Sequence, residues 1–346
     1  MEPLADYGWS DRVAALFAAV DGRGAVPGRV ARVDRGACTV VTAAGPLRAD
    51  PACGDEVAAT GDWVATVPGE HPGLAAVLPR WSAICRQDPG RATRRQVLAA
   101  DVDVLAVVAA LDRPPSANRL ERLLAMAWDS GATPALVLTK ADAAPDPAAA
   151  VAEAEAVAGG VTVLATSAAT GTGVDEIRAL LGPATTLAFI GPSGAGKSTL
   201  VNRLVGTPVQ PTAAVRGTDH RGRHTTTARH LVPVPGGGVL LDTPGLRSLA
   251  LWDAEAGVAA VFEDVEALAA GCRFGDCRHD GEPACAVRAA VDAGTLGERR
   301  LESWAKLRRE VESFERRHDE HARRAGERRF GRLVREALEL KGRREK

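Results

Sequence analysis

The chain has 346 residues, which is enough for two or three domains of ordinary size. Its 46% hydrophobic and 25% charged residues are typical of globular proteins, so the composition excludes a disordered chain and a collagen-like fibre. Because no run of 18 apolar residues occurs and Met1–Ser10 lacks the features of a secretory signal, we expect a cytoplasmic protein with no membrane partner.

The formal net charge of −1 hides an uneven distribution along the chain. Residues 297–346 carry 17 Lys and Arg against 11 Asp and Glu, whereas the other 296 residues carry 26 against 33. A basic tail on an acidic body could bind an electrostatic partner. The acidic residues within the tail could equally make it a self-neutralised surface helix.

The first 92 residues predict an N-terminal extension, 1–26, followed by a small β domain, 27–92. Apolar residues at helical spacing from Arg12 to Val20 predict a helix in the extension. Short β-prone runs separated by Gly, Pro and Asp predict a barrel or sandwich, and an OB-like barrel fits the size. The predicted strands are Val30–Val33, Cys38–Thr42, Glu56–Thr60, Trp63–Val67 and Leu74–Leu78.

Residues 93–252 alternate between apolar runs and helical patterns, which predicts a doubly wound α/β domain. The predicted strands are Val102–Ala110, Ala135–Leu138, Val161–Ala165, Leu187–Ile190 and Val239–Leu241. The predicted helices are Asn118–Trp128, Ala148–Ala158, Gly173–Leu181 and Lys197–Leu204. Residues 253–346 are expected to be helical, apart from a cluster of cysteines.

A phosphate-binding loop is predicted between the fourth of these strands and the helix that follows. The sequence there matches the pattern G-x-x-x-x-G-K-[ST], in which glycines let backbone N–H groups approach phosphates. Lys197 is expected to reach the β- and γ-phosphates, and the Ser198 hydroxyl is expected to bind Mg²⁺. The predicted nucleotide contacts are Gly191, Pro192, Ser193, Gly194, Ala195, Gly196, Lys197, Ser198 and Thr199.

A second phosphate and metal motif is expected at the end of the last strand. Asp242 begins the sequence Asp-Thr-Pro-Gly, so its carboxylate is a candidate for the Mg²⁺ shell, and the N–H of Gly245 is a candidate for contact with the γ-phosphate.

Two motifs after earlier strands indicate that the base is guanine. The first is Thr139, Lys140, Ala141 and Asp142, where the carboxylate can accept two hydrogen bonds that adenine cannot donate. The second is Thr166, Ser167 and Ala168, which could present a backbone N–H to guanine O6. Either motif alone could be a surface turn, but their placement after successive strands favours a base site.

A structural zinc site is predicted near the start of the last domain. Three thiolates and one imidazole would complete a closed tetrahedral site for one zinc ion per chain. The predicted ligands are Cys272, Cys277, His279 and Cys285.

The base motifs precede the phosphate loop, an order opposite to that of most GTPases, which indicates a circular permutation. In this order the sequence resembles the ribosome small-subunit-dependent GTPase A (RsgA/YjeQ) family from about Gly28 to Glu310. The family's Gly-Arg-His-Thr-Thr-Thr segment corresponds to residues 222–227, and its zinc pattern corresponds to the cluster above. The resemblance implies that Thr226 contacts GTP and Mg²⁺.

The residue that orients the attacking water is not evident. Ras-like enzymes use a Gln after the last glycine of the Asp-x-x-Gly motif, but Leu246 occupies that position and cannot hydrogen-bond water. His224 resembles the proposed catalytic histidine of the family, and His220 is the local alternative. His224 could also be only a solvated loop residue.

We therefore expect a circularly permuted GTPase domain between an OB-like barrel and a helical zinc-binding domain. The resemblance implies a monomer that hydrolyses GTP to GDP and binds 16S rRNA of the small (30S) ribosomal subunit during late maturation. Two alternatives are a P-loop ATPase or kinase, against which Asp142 argues, and an RNA-binding module with a vestigial nucleotide site.

Overall fold

The computed structural model describes residues 2–20, 24–34, 36–70, 72–88, 91–113, 116–210, 229–242 and 254–316. A β-rich N-terminal part is followed by an α/β part and then by a helical part. Within the ranges described, no helix is long and apolar enough to cross a lipid bilayer.

The N-terminal part contains two short helices and seven strands. They are α1 (Glu2–Ala5), α2 (Asp11–Ala18), β1 (Val26–Asp34), β2 (Ala37–Thr42), β3 (Gly45–Ala49), β4 (Ala52–Cys53), β5 (Glu56–Val57), β6 (Trp63–Val67) and β7 (Gly73–Val77). The long β1 pairs antiparallel with both β2 and β6, and its register shifts between Val30 and Arg32. Val30, Val40 and Val64 belong to the core on one face of this sheet, and Ala31, Val41 and Trp63 belong to the core on the other face. This part, called the barrel below, is the small β domain that the sequence predicts.

A two-stranded hairpin connects the barrel to the α/β part. Its strands, β8 (Ala83–Asp88) and β9 (Arg91–Ala100), are antiparallel, and their register shifts twice. The sequence does not indicate this hairpin, because charged residues and a Pro-Gly pair interrupt the apolar pattern.

The α/β part alternates between strands and helices as predicted. Its elements are β10 (Val104–Ala110), α3 (Ala117–Asp129), β11 (Thr133–Thr139), α4 (Pro147–Ala158), β12 (Thr162–Ala165), α5 (Val174–Ala179), β13 (Thr186–Ile190), α6 (Lys197–Val205), β14 (His230–Pro233) and β15 (Val239–Asp242). The strand order is β12-β11-β10-β13-β15-β14, and all neighbours except β14 are parallel. The chain order therefore reverses between β10 and β13, where doubly wound sheets form their ligand crevice.

Alternate residues of the parallel strands face opposite sides of the sheet. Val107 and Leu136 belong to the hydrophobic core on one face, whereas Val108 and Val137 belong to the core on the other. Both faces are covered by helices, so the strands are apolar throughout. This double burial explains why the sequence shows continuous apolar runs there.

The C-terminal part packs against α3. It contains α7 (Glu255–Val261), α8 (Glu263–Ala269), α9 (Ala286–Asp292) and a helix over 298–316, here α10. The fully buried Glu121 of α3 accepts hydrogen bonds from Arg299, from Arg300 at 2.8 Å and from the Ser303 hydroxyl at 2.5 Å. Arg300 also pairs with Asp264 at 2.9 Å. This network joins α10 to the α/β part.

A buried arginine joins the barrel to the α/β sheet. Arg29 of β1 is 1% exposed, and it donates to the Thr186 hydroxyl at 2.6 Å and to the carbonyl oxygens of Tyr7, Gly61 and Asp101. Burial lowers the pKa of Arg29 to about 10, although nearby carboxylates oppose this. Arg29 therefore binds four separate chain segments, and one of them is the start of β13 at Thr186.

We expect the substitution Arg29→Met to lower the free energy of unfolding by about 3–5 kcal/mol, because it leaves buried acceptors and nearby carboxylates without their cation. Arg32→Met is the matched control, since Arg32 is 46% exposed and pairs with Asp34 at the surface. It should cost about 1 kcal/mol or less. Denaturant unfolding of both variants provides the comparison, and equal losses would contradict this account of the junction.

Candidate functional site

The phosphate loop, residues 191–198, joins β13 to α6 as the sequence predicts. Gly191 has a φ of +146° and lies so close to β10 that a Cβ atom there would be 2.2 Å from the carbonyl oxygen of Val108. Gly194 and Gly196 have φ values of +78° and +88°, which glycine adopts without strain. The glycines thus fit the tight turn between strand and helix.

The Lys197 side chain lies across this loop. Its Nζ donates to the carbonyl oxygens of Gly191 at 2.8 Å and Pro192 at 2.7 Å. Ser198 and Thr199 follow in the first turn of α6, half-buried and exposed respectively. A positive ammonium group and the N–H donors of a helix start therefore lie together, and this combination binds anions.

Thr139, the last residue of β11, contacts the phosphate loop directly. Its hydroxyl donates to the carbonyl oxygen of Ala195 at 2.6 Å. The next residue, Lys140, has a φ of +58° and forms an ion pair with Asp112 at 2.7 Å. Asp142 follows in a 3-10 turn with its side chain exposed. The predicted base motif is therefore adjacent to the predicted phosphate site.

The loop after β12 packs against this turn. The backbone N of Ala141 donates to the carbonyl oxygen of Thr166 at 3.1 Å. Ser167 is buried and its hydroxyl accepts from the backbone N of Thr170 at 3.2 Å, while Ala168 is half-buried. The two predicted base motifs are thus in direct contact through this backbone hydrogen bond.

Asp242 ends β15 and is 4% exposed. Its Oδ1 accepts a hydrogen bond from Gln210 Nε2, and its Oδ2 lies 3.7 Å from His230 Nδ1. Burial raises the pKa of Asp242 to about 6, although His230 lowers it. Carboxylate and hydroxyl oxygens, such as those of Asp242 and Ser198, are the kind of ligand that Mg²⁺ prefers.

Several predicted residues lie outside the described part of the chain, so their roles stay predictions. They are the magnesium candidate Thr226, the phosphate contact Gly245, the catalytic candidate His224, its alternative His220, and Leu246.

The four predicted zinc ligands form one cluster. The ligand atoms of Cys272, Cys277, His279 and Cys285 all lie within 4.8 Å of one another. The Cys272 and Cys285 sulfurs are 3.9 Å apart, and His279 Nδ1 lies 3.6 Å and 3.4 Å from them. Zn–S bonds of about 2.3 Å in a tetrahedron would separate the sulfurs by about 3.8 Å. The cluster therefore fits a four-coordinate metal ion.

The surroundings of the cluster hold its ligands in place. The His279 ring lies 5.1 Å from the Trp304 ring of α10, and Cys285 Sγ accepts from the backbone N of Arg288 at 3.3 Å. Burial and the neighbouring thiols raise the pKa of Cys277 to about 11. A bound metal cation would lower the pKa of Cys277, because metal coordination deprotonates thiols.

The sequence did not indicate Gln210 and His230, which contact Asp242, or Asn202, which binds the backbone of Gln210. Asn202 follows Ser198 by four residues, so a helical projection of α6 would have placed it on the same face. Gln210 and His230 carry no motif, and only the folded chain brings them to Asp242.

Known proteins resemble this chain over most of its length. The RsgA GTPase family model matches residues 77–252. Small ribosomal subunit biogenesis GTPase RsgA of Streptomyces avermitilis is 50% identical over 317 residues, covering 89% of this chain and 85% of that protein. The protein of the same name from Streptomyces coelicolor is 47% identical over 350 residues, covering 98% of this chain and 95% of that protein.

Solved structures show the same architecture. The crystal structure of YjeQ from Thermotoga maritima matches with a TM-score of 0.61 and 25% identity, covering 83% of this chain and 98% of that one. YloQ, described as a circularly permuted GTPase, matches in fold with a TM-score of 0.60 and 20% identity, covering 84% of this chain and 96% of that one.

Gly191→Ala should destabilise the protein by about 2–4 kcal/mol, because it adds both left-handed strain and a clash with the Val108 carbonyl group. Gly194→Ala is the matched control, since a Cβ atom there meets nothing within 4 Å. It should cost only the strain, about 1–2 kcal/mol. Thermal unfolding of the two variants tests the difference, and a smaller loss for Gly191→Ala would contradict the described loop.

Proposed function

Because this chain belongs to the RsgA GTPase family, it is a GTP hydrolase, and we propose that it acts in late maturation of the small (30S) ribosomal subunit. Relatives named small ribosomal subunit biogenesis GTPases cover nearly its whole length, which supports this role. The observation that carries the nucleotide site is the meeting of the loops after β11, β12 and β13 with Asp242 at one edge of the sheet.

We propose that residues 191–199 bind the GTP phosphates. Backbone N–H groups of the loop and of the α6 start would donate to phosphate oxygens. Lys197 Nζ, which lies against two carbonyl groups of the loop, would exchange them for the β- and γ-phosphates. The N–H of Gly245 is proposed to contact the γ-phosphate.

Ser198, Asp242 and Thr226 are the proposed ligands of Mg²⁺, which when bound would neutralise charge on the phosphates. The buried Asp242 carboxylate and the Ser198 hydroxyl supply hard oxygen donors, which supports this choice of metal.

Residues 139–142 and 166–168 are proposed to select guanine. The exposed Asp142 carboxylate would accept from N1–H and the N2 amine, and a backbone N–H of Ser167 or Ala168 would donate to O6. The Lys140 stem would lie against the ring plane. An adenine base would leave the carboxylate unpaired, which disfavours ATP.

His224 is the proposed water-positioning group, with His220 as the alternative. Leu246 supplies no hydrogen bond to water, so a group outside the Asp-x-x-Gly motif is needed.

We further propose that the metal of the Cys₃His cluster is a structural zinc ion and that the protein works in the cytoplasm. The donor set and the spacing of the ligand atoms support zinc. The barrel, the zinc-binding part and the basic C-terminal segment are the proposed contacts with 16S rRNA.

Measuring GTP and ATP hydrolysis with and without small ribosomal subunits tests the function. GTP should be hydrolysed slowly by the protein alone and faster with subunits, because the water must be oriented by a residue that a partner helps to place. Turnover of ATP instead would favour an ATPase or kinase. Absence of any turnover with subunits would favour an RNA-binding module.

Asp142→Asn should weaken GTP binding by about 2–4 kcal/mol and relax the preference for guanine, because one of two acceptor oxygens becomes a donor. Asp146→Asn is the matched control four residues away. Its side chain accepts from the backbone N of Ala149 at the start of α4, a role that Asn fills equally well. Competition between GTP and ATP measures the effect, and unchanged selectivity in Asp142→Asn would refute the guanine assignment.

Purified, reduced protein should contain about one zinc ion per chain. Cys277→Ser should lose the metal and unfold at a lower temperature, because a closed site contributes folding energy directly. Cys53→Ser, in the barrel, is the control and should retain the metal. Metal analysis by mass spectrometry decides the matter, and wild-type protein without zinc would contradict the assignment.

A further inference from the structure

Asn202 of α6 binds the chain that follows the helix. Its Oδ1 accepts from the backbone N of Val209 at 2.9 Å and of Gln210 at 2.8 Å, and its Nδ2 donates to the carbonyl oxygen of Gln210 at 2.8 Å. Both backbone polar groups of Gln210 are therefore fixed by one side chain. The backbone position of Gln210 is therefore fixed, and this limits where its side chain can lie.

From that position, Gln210 Nε2 donates to Oδ1 of Asp242. The other carboxylate oxygen lies 3.7 Å from Nδ1 of His230, which is paired with Asp242 across β14 and β15. Gln210 precedes and His230 follows residues 211–228, which lie outside the described ranges. One buried carboxylate is thus contacted by residues from both sides of the segment that contains Thr226.

The second proposed metal ligand, Ser198, is in the same helix as Asn202. Ser198 and Asn202 are four residues apart in α6 and share a helix face. A carboxylate offers about four acceptor positions on its two oxygens, so the bond from Gln210 leaves positions for a cation. Ligating carboxylates are commonly held by such outer hydrogen bonds, which fix their orientation.

We propose that Gln210 is a positioning residue for the magnesium site, orienting the Asp242 carboxylate, and that Asn202 holds Gln210 for this purpose. The inference rests on the proposed function, because it assigns both residues to the metal site of GTP hydrolysis. Without the Gln210 amide, the Asp242 carboxylate loses its fixed orientation. Magnesium affinity then falls, while the contacts of residues 139–142 and 166–168 with the nucleotide are unaffected.

The test is the binding of a fluorescent GDP analogue as a function of Mg²⁺ concentration, with a metal-free measurement in chelator. In Gln210→Met, the Mg²⁺ concentration for half-maximal effect should rise about 10-fold, as for other outer-shell partners of metal ligands. The metal-free nucleotide affinity should equal that of wild type. Gln96→Met is the matched control, since its carboxamide accepts from Arg86 in the β8–β9 hairpin.

Asn202→Ala should raise the Mg²⁺ requirement in the same direction, and Asn118→Ala, on the exposed start of α3, should not. The double variant of Asn202→Ala with Gln210→Met should match Gln210→Met alone, because both changes remove the same support of Asp242. Additive effects would contradict this order of action.

Two results would overturn the inference alone. Gln210→Met could show the Mg²⁺ dependence of wild type, or it could bind Mg²⁺ more tightly, which would mean that Gln210 competes with the metal. Wild-type protein that binds no guanine nucleotide would instead overturn the proposed function, and the inference with it.

Discussion

The rest of the structure depends on one constraint: the carboxyl ends of the parallel strands lie at the same edge of the sheet, whatever the order of the strands along the chain. Neighbouring strands end nearly level, since Ala110 pairs with Thr139 and Leu138 pairs with Ala165. The loops that leave these ends must therefore lie side by side. Circular permutation changes which loops are joined by the chain, but not which strands are neighbours, so β10 and β13 still border the crevice. The Thr139 hydroxyl bond to the Ala195 carbonyl is the direct contact between loops 56 residues apart in sequence.

Buried polar groups join the other two parts to this sheet. Arg29 connects the barrel to the first residue of β13, and Glu121 connects α3 to α10 through two arginines. Both groups lie at 1% exposure or less, where an unpaired charge is costly, so each interface requires a specific partner geometry. The barrel is joined to the sheet a second time, because the backbone of β1 pairs antiparallel with that of β14 at Arg32 and His230. The barrel is therefore attached to the α/β part at both β13 and β14.

The sequence predicted the elements whose signal is local and missed those that depend on distant contacts. The parallel strands are apolar on both faces, so they were predicted correctly. The β3 strand was missed because it begins with Gly-Pro, and β14 because only two apolar residues lie between His230 and Pro233. The Cys₃His cluster was predictable from spacing alone, since its four residues lie within 14 positions of the sequence. The contact between Gln210 and Asp242 was not, because 32 residues separate them and no motif includes Gln210.

The contrast between two buried carboxylates explains where a cation is needed. Glu121 is surrounded by the guanidinium groups of Arg299 and Arg300 and by the Ser303 hydroxyl, so its charge is balanced within the fold. Asp242 is nearly as buried, but its contacts in the described ranges are the neutral amide of Gln210 and the imidazole of His230 at 3.7 Å. Burial accordingly raises its pKa to about 6. A carboxylate kept buried without a permanent cation costs stability, and such groups cluster at functional sites. The fold thus balances the charge of Glu121 for its own stability, and the lack of an arginine or lysine partner for Asp242 among the described residues supports the magnesium site proposed there.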